Sequence, residues 1–196
     1  MYKVIEVKRE IEFRMLKIGI VGDTKVGKTS IVNSFLDQEF SLDLPETIGS
    51  ERFNTNFNLN NDKEIKLIIW DTSGVERYRA FSLSAIRGIL GIIIVFDVTS
   101  KKSFENVSLW LSLLKENQSN FYPILFCNKS DIEKSKWEVT NEEINELTEK
   151  YNLKYFEVSA KTKKGIKEGF KYIVNEAFDQ LKIEHIIIKP RKKKIK

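Results

Sequence analysis

The residues with the clearest chemical pattern lie in a glycine-rich segment near the start of the chain. The stretch GDTKVGKTS, residues 22–30, follows the apolar run LKIGIV and leads into a helical stretch, TSIVNSFL. Two glycines that bracket four residues let a backbone curl so that several N–H groups point inward, and a helix start adds positive potential. This pattern predicts a phosphate-binding loop; the alternative is a glycine turn with a chance lysine.

Two side chains after the second glycine extend the prediction to a nucleotide and a cation. We expect Lys28 to reach the β- and γ-phosphates and the Thr29 hydroxyl to bind Mg²⁺. Lys25 leaves two interpretations open: a positive charge beside the phosphates, or a solvated side chain. The predicted cofactor-binding residues of the loop are Gly22, Asp23, Thr24, Lys25, Val26, Gly27, Lys28, Thr29 and Ser30.

A second motif, Asp71-Thr72-Ser73-Gly74, follows the apolar run IKLIIW at 65–70. Ligands of α/β sheets gather at the carboxyl ends of strands, so this position suits a binding site. The Asp71 carboxylate can hold Mg²⁺ through water, and the Gly74 N–H can approach a γ-phosphate. Alone this short motif is weak, since a turn at a strand end can have the same residues.

Two further motifs indicate which base the nucleotide carries. Asn128-Lys129-Ser130-Asp131 ends the apolar run YPILFC, and the Asp131 carboxylate is an acceptor pair suited to the two N–H donors on the edge of guanine. Adenine lacks that donor pair, so the motif argues against a P-loop ATPase or nucleotide kinase. Ser159-Ala160-Lys161 ends the next strand, where a backbone N–H can meet the guanine carbonyl. Each motif alone has a polar turn as its alternative.

Apolar runs and helical periodicities alternate along the chain and must bring these motifs together. Strand-like runs lie at 16–21, 65–70, 89–96, 122–126 and 154–158, and helical patterns at 103–114, 140–151 and 164–181. Thr140 and Glu143 have the spacing of a capping box. The alternation indicates an α/β fold with a doubly wound, mostly parallel sheet. Residues 51–70 consist of two strand-like stretches on either side of the turn-forming Asn60-Asn61-Asp62. They predict a β-hairpin, which makes one edge strand antiparallel.

Composition and charge indicate one domain with a basic tail. The chain has 196 residues, a net charge of +5 and one cysteine, Cys127, which suits a reducing compartment. Residues 182–196 hold seven Lys or Arg and one Glu, so this segment carries +6 and the rest of the chain sums to −1. The basic charge belongs to a tail, which weakens any case for a nucleic-acid-binding fold. We expect an N-terminal extension at 1–13, a domain at 14–181 and a basic C-terminal tail at 182–196.

With all four motifs in order, each at a predicted strand end, the chain resembles a Ras-superfamily small GTPase of the Rab-like class over residues 14–181. The Rab-like character rests on TIG (47–49), WDTSG (70–74), ERYR (76–79), IRG (86–88), GIIIVFDVT (91–99), SFENVSLW (103–110) and SAK (159–161). The resemblance implies a three-layer P-loop GTPase domain. Its six-stranded, mostly parallel sheet would have one antiparallel edge strand and about five flanking helices.

The resemblance also implies GTP or GDP with Mg²⁺ as ligands, and a nucleotide-dependent switch in vesicle and membrane traffic. In that family the threonine matching Thr47 binds Mg²⁺ and senses the γ-phosphate, and the aromatic matching Phe40 packs on the guanine. Their alternatives are a solvated loop threonine and a core contact. Effector and exchange-factor proteins would bind through switch segments 38–52 and 73–88. We expect a cytoplasmic monomer without a nucleic acid partner.

The main departure from the family pattern is Val75, where the family usually has the glutamine that orients the attacking water. Valine offers neither donor nor acceptor, so we expect slow hydrolysis with binding largely intact. Two alternatives stay open: a partner that supplies a glutamine in trans, and a hydrolysis-deficient scaffold that stays GTP-bound. The predicted catalytic residues are Lys28, Thr47, Gly74 and the atypical Val75, and the predicted metal ligands are Thr29, Thr47 and Asp71.

Two other departures concern partners and membranes. The family's TIGxDF reads Thr47-Ile48-Gly49-Ser50-Glu51-Arg52-Phe53 here, so familiar Rab partners are not assumed. No cysteine follows Cys127, so C-terminal prenylation is not expected. The tail IIIKPRKKKIK could still be drawn to anionic lipid, which would place the protein peripherally on endomembranes through residues 183–196. A solvated tail and a nuclear-import or nucleic-acid patch are the alternatives.

Overall fold

Strands and helices alternate along residues 15–60, 63–76 and 79–187, the part of the chain that the computed structural model describes. A short 3₁₀ turn at Lys134–Lys136 precedes the fourth helix. In chain order the elements are β1 (Met15–Gly22), α1 (Lys28–Phe35), β2 (Ser50–Asn58), β3 (Glu64–Thr72), α2 (Arg79–Ala85), β4 (Gly91–Asp97), α3 (Lys101–Asn117), β5 (Tyr122–Asn128), α4 (Asn141–Tyr151), β6 (Lys154–Glu157) and α5 (Ile166–Ile187).

The six strands of the described chain form one sheet in the order β2-β3-β1-β4-β5-β6. Strands β1, β3, β4, β5 and β6 run parallel, and β2 is antiparallel to β3, with Ser50 opposite Thr72 and Asn58 opposite Glu64. The predicted α/β fold with one antiparallel edge strand is confirmed. After β1 the chain builds one side of the sheet and then crosses to β4 on the other, so a crevice opens at the carboxyl end of β1.

The apolar runs located the strands, with differences at their ends. The predicted strand 89–96 begins at Gly91 instead, because Ile89 closes a turn in which its N–H donates to the Ile86 carbonyl at 3.0 Å. The last strand ends at Glu157 rather than at residue 158, whose carbonyl accepts from the Ser130 N–H at 3.0 Å. The predicted hairpin joins β2 to β3, while residues 61–62 of its turn lie outside the described residues.

Capping residues set where two of the predicted helices begin. The Ser100 side chain accepts from the Ser103 N–H, so the predicted helix 103–114 extends to Lys101–Asn117. Thr140 and Glu143 form the predicted capping box at the start of α4. Helix α5 continues to Ile187, so residues 182–187 of the predicted tail are helical. The predicted extension at 1–13 and the tail residues 188–196 lie outside the described residues.

Two apolar clusters cover the two faces of the sheet and give the fold its three layers. One lies under α1 and α5, where Phe35 stacks on Phe170 with ring centroids 3.9 Å apart. The other lies under α2, α3 and α4 and includes the buried Trp110 and Cys127. Among the helices that the structure describes, none combines the length and apolar character that crossing a bilayer requires.

Candidate functional site

A cleft of about 520 Å³ opens at the carboxyl ends of the parallel strands. The loops after β1, β3, β5 and β6 meet there with the segment that joins α1 to β2, as the sheet topology requires. The cleft is lined by Thr24, Lys25, Gly27, Lys28, Thr29, Ser30, Phe40, Ser41, Leu42, Leu44, Pro45, Glu46, Thr47, Thr72, Ser73, Gly74, Val75, Asn128, Lys129, Asp131, Ile132, Ala160 and Lys161.

The loop after β1 curls so tightly that two of its positions exclude any side chain. Gly22 and Gly27 have φ angles of 144° and 95°, which L-residues rarely adopt. A Cβ at Gly22 would lie 2.2 Å from the Val95 carbonyl oxygen, and one at Gly27 would lie 2.4 Å from Asn128 Nδ2. The loop therefore sits directly against the ends of β4 and β5, and the start of α1 opens into the cleft.

Lys28 lies buried inside the curl of this loop. Its Nζ donates to the Gly22 carbonyl at 2.9 Å and to the Asp23 carbonyl at 2.7 Å. Burial lowers the pKa of Lys28 from 10.5 to about 8, against the attraction of the Asp71 and Asp23 carboxylates. At neutral pH the ammonium is therefore charged but poorly hydrated, a state that favours binding of an anion.

Two hydroxyls and one carboxylate converge beside Lys28. Thr29 Oγ1 donates to Asp71 Oδ2 at 2.5 Å and lies 3.0 Å from Thr47 Oγ1. Asp71 is fully buried, and burial raises the pKa of its carboxyl from 3.8 to about 6 despite the bond from Thr29 and the charge of Lys28. Its other oxygen, Oδ1, has no hydrogen-bond partner among the described residues.

This set of donors fits a small, hard divalent cation. Oxygen ligands from one carboxylate and neighbouring hydroxyls are those that Mg²⁺ takes, and Mg²⁺ keeps waters for its remaining positions. A cation would supply the buried Asp71 Oδ1 with the partner that it lacks and would favour the ionised form of the carboxyl. Thr29, Thr47 and Asp71, predicted as ligands from widely separated motifs, therefore fit the group that the sequence indicates.

At the ends of β5 and β6, one amide joins the loops together. Asn128 is almost fully buried, and its Nδ2 donates to the Val26 carbonyl of the glycine-rich loop at 2.7 Å. Its Oδ1 accepts from the Ala160 N–H at 3.2 Å. Asn128 thus connects the loop after β5, to which it belongs, with the loops after β1 and β6. It supports the cleft and is also part of its lining.

The two charged side chains that follow Asn128 are both anchored. Lys129 Nζ lies 2.5 Å from Asp97 Oδ2 at the end of β4, an ion pair that the sequence motifs did not show. Asp131 Oδ1 accepts from the Ser159 hydroxyl at 2.7 Å. Because one oxygen of Asp131 is held in this way, the orientation of its carboxylate at the cleft is fixed.

The end of β3 joins the two predicted switch segments. The Ser73 N–H donates to the Gly49 carbonyl at 2.8 Å, and the buried Ser82 hydroxyl donates to the Ser73 carbonyl at 2.9 Å. Ser73 Oγ also accepts from the Val75 N–H at 3.3 Å. The partly buried Val75 therefore lines the cleft with an apolar side chain, while the hydroxyl of Ser73 stands beside it.

Most of the predicted site residues line the cleft, and five lie next to it without lining it. Gly22, Asp23, Val26, Asp71 and Ser159 do not line it but hold Lys28, Asn128, Thr29 and Asp131 through the bonds described above. The sequence motifs missed several lining residues. These lie between Phe40 and Thr47 or next to a motif, and they are Ser41, Leu42, Leu44, Pro45, Glu46 and Ile132. Thr72 and Ser73 belong to the motif at the end of β3 but were not predicted as site residues, and they line the cleft as well.

Comparisons with known proteins agree with this architecture. The model of the Ras family matches residues 17–179. The chain is 38% identical over 165 residues to the GTP-binding protein ypt3 of Schizosaccharomyces pombe, which covers 84% of this chain and 76% of that protein. It is 34% identical over 163 residues to the Ras-related protein Rab-13 of Bos taurus, covering 83% and 79%. It is 38% identical over 176 residues to the Ras-related protein RABA2b of Arabidopsis thaliana, covering 89% and 78%.

The family match at residues 17–179 includes the sheet from the third residue of β1 onward, the glycine-rich loop and the strand-end loops that form the cleft. Ras-family GTPases bind guanine nucleotides, generally with Mg²⁺, so the family agrees with the donor set found at Thr29, Thr47 and Asp71. The chain therefore belongs to the Ras family of small GTPases and is Rab-like within it.

Proposed function

We propose that this chain binds GTP and GDP with Mg²⁺ and acts as a nucleotide-dependent switch whose intrinsic hydrolysis is slow. One observation supports it most: the same cleft has a buried ammonium and a candidate cation site at one end of its motifs, and a carboxylate held in a fixed orientation at another. The same cleft is lined by Val75 at the place where a polar group would hold water.

The phosphate end of the site would depend on the loop after β1. The Lys28 ammonium has a third N–H besides the two that donate to carbonyls, and this N–H would donate to phosphate oxygens, while loop N–H groups and the start of α1 add positive potential. Thr29, Thr47 and Asp71 would hold Mg²⁺, which neutralises charge between the phosphates when bound. Lys25, exposed and in a left-handed conformation with φ of 61°, would place a second cation at the cleft edge.

The base end would depend on Asp131 and its neighbours. Ser159 holds one carboxylate oxygen of Asp131, which leaves the other oxygen and the remaining lone pairs for the two N–H donors of guanine. Lys129, Lys161 and the half-exposed ring of Phe40 line the same cleft and would enclose the base. Adenine would leave the Asp131 carboxylate without its donors, which costs affinity.

Hydrolysis would be limited at Val75. Phosphoryl transfer requires a water held in line with the γ-phosphate, and an isopropyl group cannot hold one. The test is single-turnover GTP hydrolysis by the wild type and by Val75→Gln, with Val75→Ala as the matched control. We expect about 100-fold faster hydrolysis for Val75→Gln and no change for Val75→Ala, with GTP affinity similar in all three. Equal rates for the wild type and Val75→Gln would contradict the proposal.

A hydrolysis-deficient scaffold is the second candidate, and Val75 is again the residue that favours it. The nucleotide that co-purifies with the protein separates the two. GDP in the purified protein would support a switch that turns over, and GTP would support a chain that stays loaded and holds partners.

We further propose that partners bind through segments 38–52 and 73–88. Leu42 and Ile48 in the first segment are 87% and 79% exposed, so both side chains are accessible to an effector. The domain would cover residues 14–181 and act as a monomer in vesicle traffic, with no nucleic acid partner and a cytoplasmic location.

The basic tail would give reversible contact with anionic endomembranes. Because α5 continues to Ile187, a deletion of 188–196 is a cleaner test than one from residue 183, which would cut the helix. We expect sedimentation with phosphatidylserine vesicles at low salt for the full chain, its loss at high salt, and none for the deletion variant. Binding that ignores both salt and the deletion would contradict electrostatic attachment.

A further inference from the structure

The carboxylate of Asp23 belongs to the glycine-rich loop but is held by a distant helix. Asn106 Nδ2 donates to Asp23 Oδ2 at 2.6 Å, and Trp110 Nε1 donates to Asp23 Oδ1 at 2.9 Å. The two donors are four residues apart on α3, so they share one face of that helix. We call Asn106 and Trp110 the α3 clamp.

The clamped residue sits where three parts of the site meet. The carbonyl of Asp23 accepts from the Lys28 ammonium at 2.7 Å. The peptide that joins Asp23 to Thr24 lies so close to Gly74 that a Cβ there would be 2.3 Å from its atoms. A rotation of Asp23 would therefore move the ammonium of Lys28 and the contact with the end of β3 together.

The clamp is built to resist such a rotation. Trp110 is 1% exposed and packs in the apolar cluster under α3, so its indole has little freedom. Both carboxylate oxygens have a donor, and hydrogen bonds to an ionised acceptor are stronger than neutral ones. The clamp also keeps this negative charge behind the wall of the cleft, since Asp23 is not among the lining residues.

We propose that Asn106 and Trp110 are positioning residues for nucleotide retention, so that α3 controls the rate of nucleotide release through Asp23. The inference rests on the proposed function, because it concerns the same cleft. It adds a control element outside the sequence motifs of the site: neither residue lines the cleft, and each acts only through the shape of the loop.

Release of fluorescently labelled GDP from the full chain tests the clamp. We expect release to be about tenfold faster in Asn106→Ala, and in Trp110→Phe, which keeps a ring but removes the N–H donor. Asn117→Ala is the matched control, because Asn117 is an exposed residue of the same helix and its Nδ2 donates along that helix to the Leu113 carbonyl. Release at the wild-type rate in both clamp variants would overturn the proposal.

A double-variant cycle separates positioning from a loss of stability. In an Asp23→Ala background we expect Asn106→Ala to add nothing to the release rate, because its hydrogen-bond partner is already gone. If Asn106→Ala accelerated release by the same factor in the Asp23→Ala background as in the wild type, the proposal would be overturned, since Asn106 would then act without Asp23. Thermal melting of each variant shows whether the fold is retained.

A readout without nucleotide keeps this inference separate from the proposed function. Amide hydrogen exchange of the peptide covering residues 22–30 is expected to rise in Asn106→Ala and Trp110→Phe and to stay at the wild-type level in Asn117→Ala. Unchanged exchange in the clamp variants would overturn the clamp. A wild-type chain that binds no GDP would overturn the proposed function and leave this exchange test in force.

Discussion

The loop after β1 and the end of β3 lie against each other at the cleft, yet they differ in how completely their polar groups have hydrogen-bond partners. In the loop, Lys28 has two carbonyl acceptors and Asp23 has two donors. At the end of β3, one oxygen of the buried Asp71 has no partner among the described residues, and Val75 offers no polar side chain. The loop is therefore organised before any ligand arrives, whereas the end of β3 leaves a carboxylate oxygen that a cation would satisfy and presents an apolar Val75 side chain that cannot hold a water.

From this difference we expect nucleotide binding and nucleotide cleavage to depend on separate parts of this chain. Preorganised donors favour binding because little ordering remains to be done when the ligand arrives. Cleavage needs a group that positions water, and among the described residues at the end of β3 the apolar Val75 side chain lines the cleft beside the Ser73 hydroxyl. Changes to the loop should thus affect binding, and changes to the end of β3 should affect metal dependence and the response to the γ-phosphate.

The largest effect on nucleotide affinity is expected from removal of the Lys28 ammonium in the loop. Lys28→Met deletes a buried ammonium that no other residue can replace at that point, so affinity for both GTP and GDP should fall by about 1,000-fold. Isothermal titration or equilibrium filtration measures this. Lys102→Met, an exposed lysine on α3, is the matched control. Wild-type affinity in Lys28→Met would show that the loop does not carry the binding.

The second prediction concerns the stability of the fold and Asp71. Burial destabilises the ionised form of its carboxyl when no cation is present. Its folded-state pKa of about 6 lies above the unfolded value of 3.8, so its contribution to stability is greatest below pH 3.8 and is lost as the pH rises through 6. In chelator at pH 7, Asp71→Asn should therefore be more stable than the wild type by about 3 kcal/mol, and the gain should vanish near pH 4.

Chemical denaturation of the nucleotide-free protein between pH 4 and pH 8 measures this dependence. Asp97→Asn is the contrasting variant, because Asp97 is also buried but is paired with Lys129, so its loss should destabilise the fold. Added GTP and Mg²⁺ should reverse the order of the wild type and Asp71→Asn. If Asp71→Asn were less stable than the wild type at pH 7 without metal, Asp71 would not be the incompletely satisfied group that the comparison between the two regions describes.

The fold and most of the cleft lining were predictable because their signals are local in sequence. Apolar runs marked the strands, and each motif was a contiguous stretch at a strand end, as with Asn128 and Asp131. Apolar character gave a wrong strand start at Ile89 and Leu90. Both residues are apolar and buried, but they lie in a turn before β4. Apolar character reports burial, and burial alone does not distinguish a strand from a covered turn.

Contacts between side chains far apart in sequence could not be predicted. Asn106 and Trp110 stand 83 and 87 residues from Asp23, and nothing in a single sequence links a helix face to one carboxylate. The pairing of Lys129 with Asp97 and the hold of Ser159 on Asp131 are similar cases. Such contacts depend on how the strand-end loops converge, which only the folded sheet determines.

The smallest of these effects is expected at Gly74, the contact between the two regions. A Cβ at Gly74 would lie 2.3 Å from the backbone atoms that join Asp23 to Thr24, so Gly74→Ala must push the end of β3 away from the loop. The Gly74 N–H would then no longer approach a γ-phosphate, whereas the contacts to the other phosphates remain with Lys28 and the loop. We expect GTP affinity to fall about tenfold and GDP affinity to stay near the wild-type value.

Competition of GTP and GDP against a labelled nucleotide measures that ratio. Ser84→Ala, at an exposed position of α2 in the same switch segment, is the matched control and should leave it unchanged. Equal losses for GTP and GDP in Gly74→Ala would mean that the loop itself had been distorted, and the two regions would then be one structural unit. A selective loss for GTP would instead show that the end of β3 responds to the γ-phosphate while the loop holds the rest.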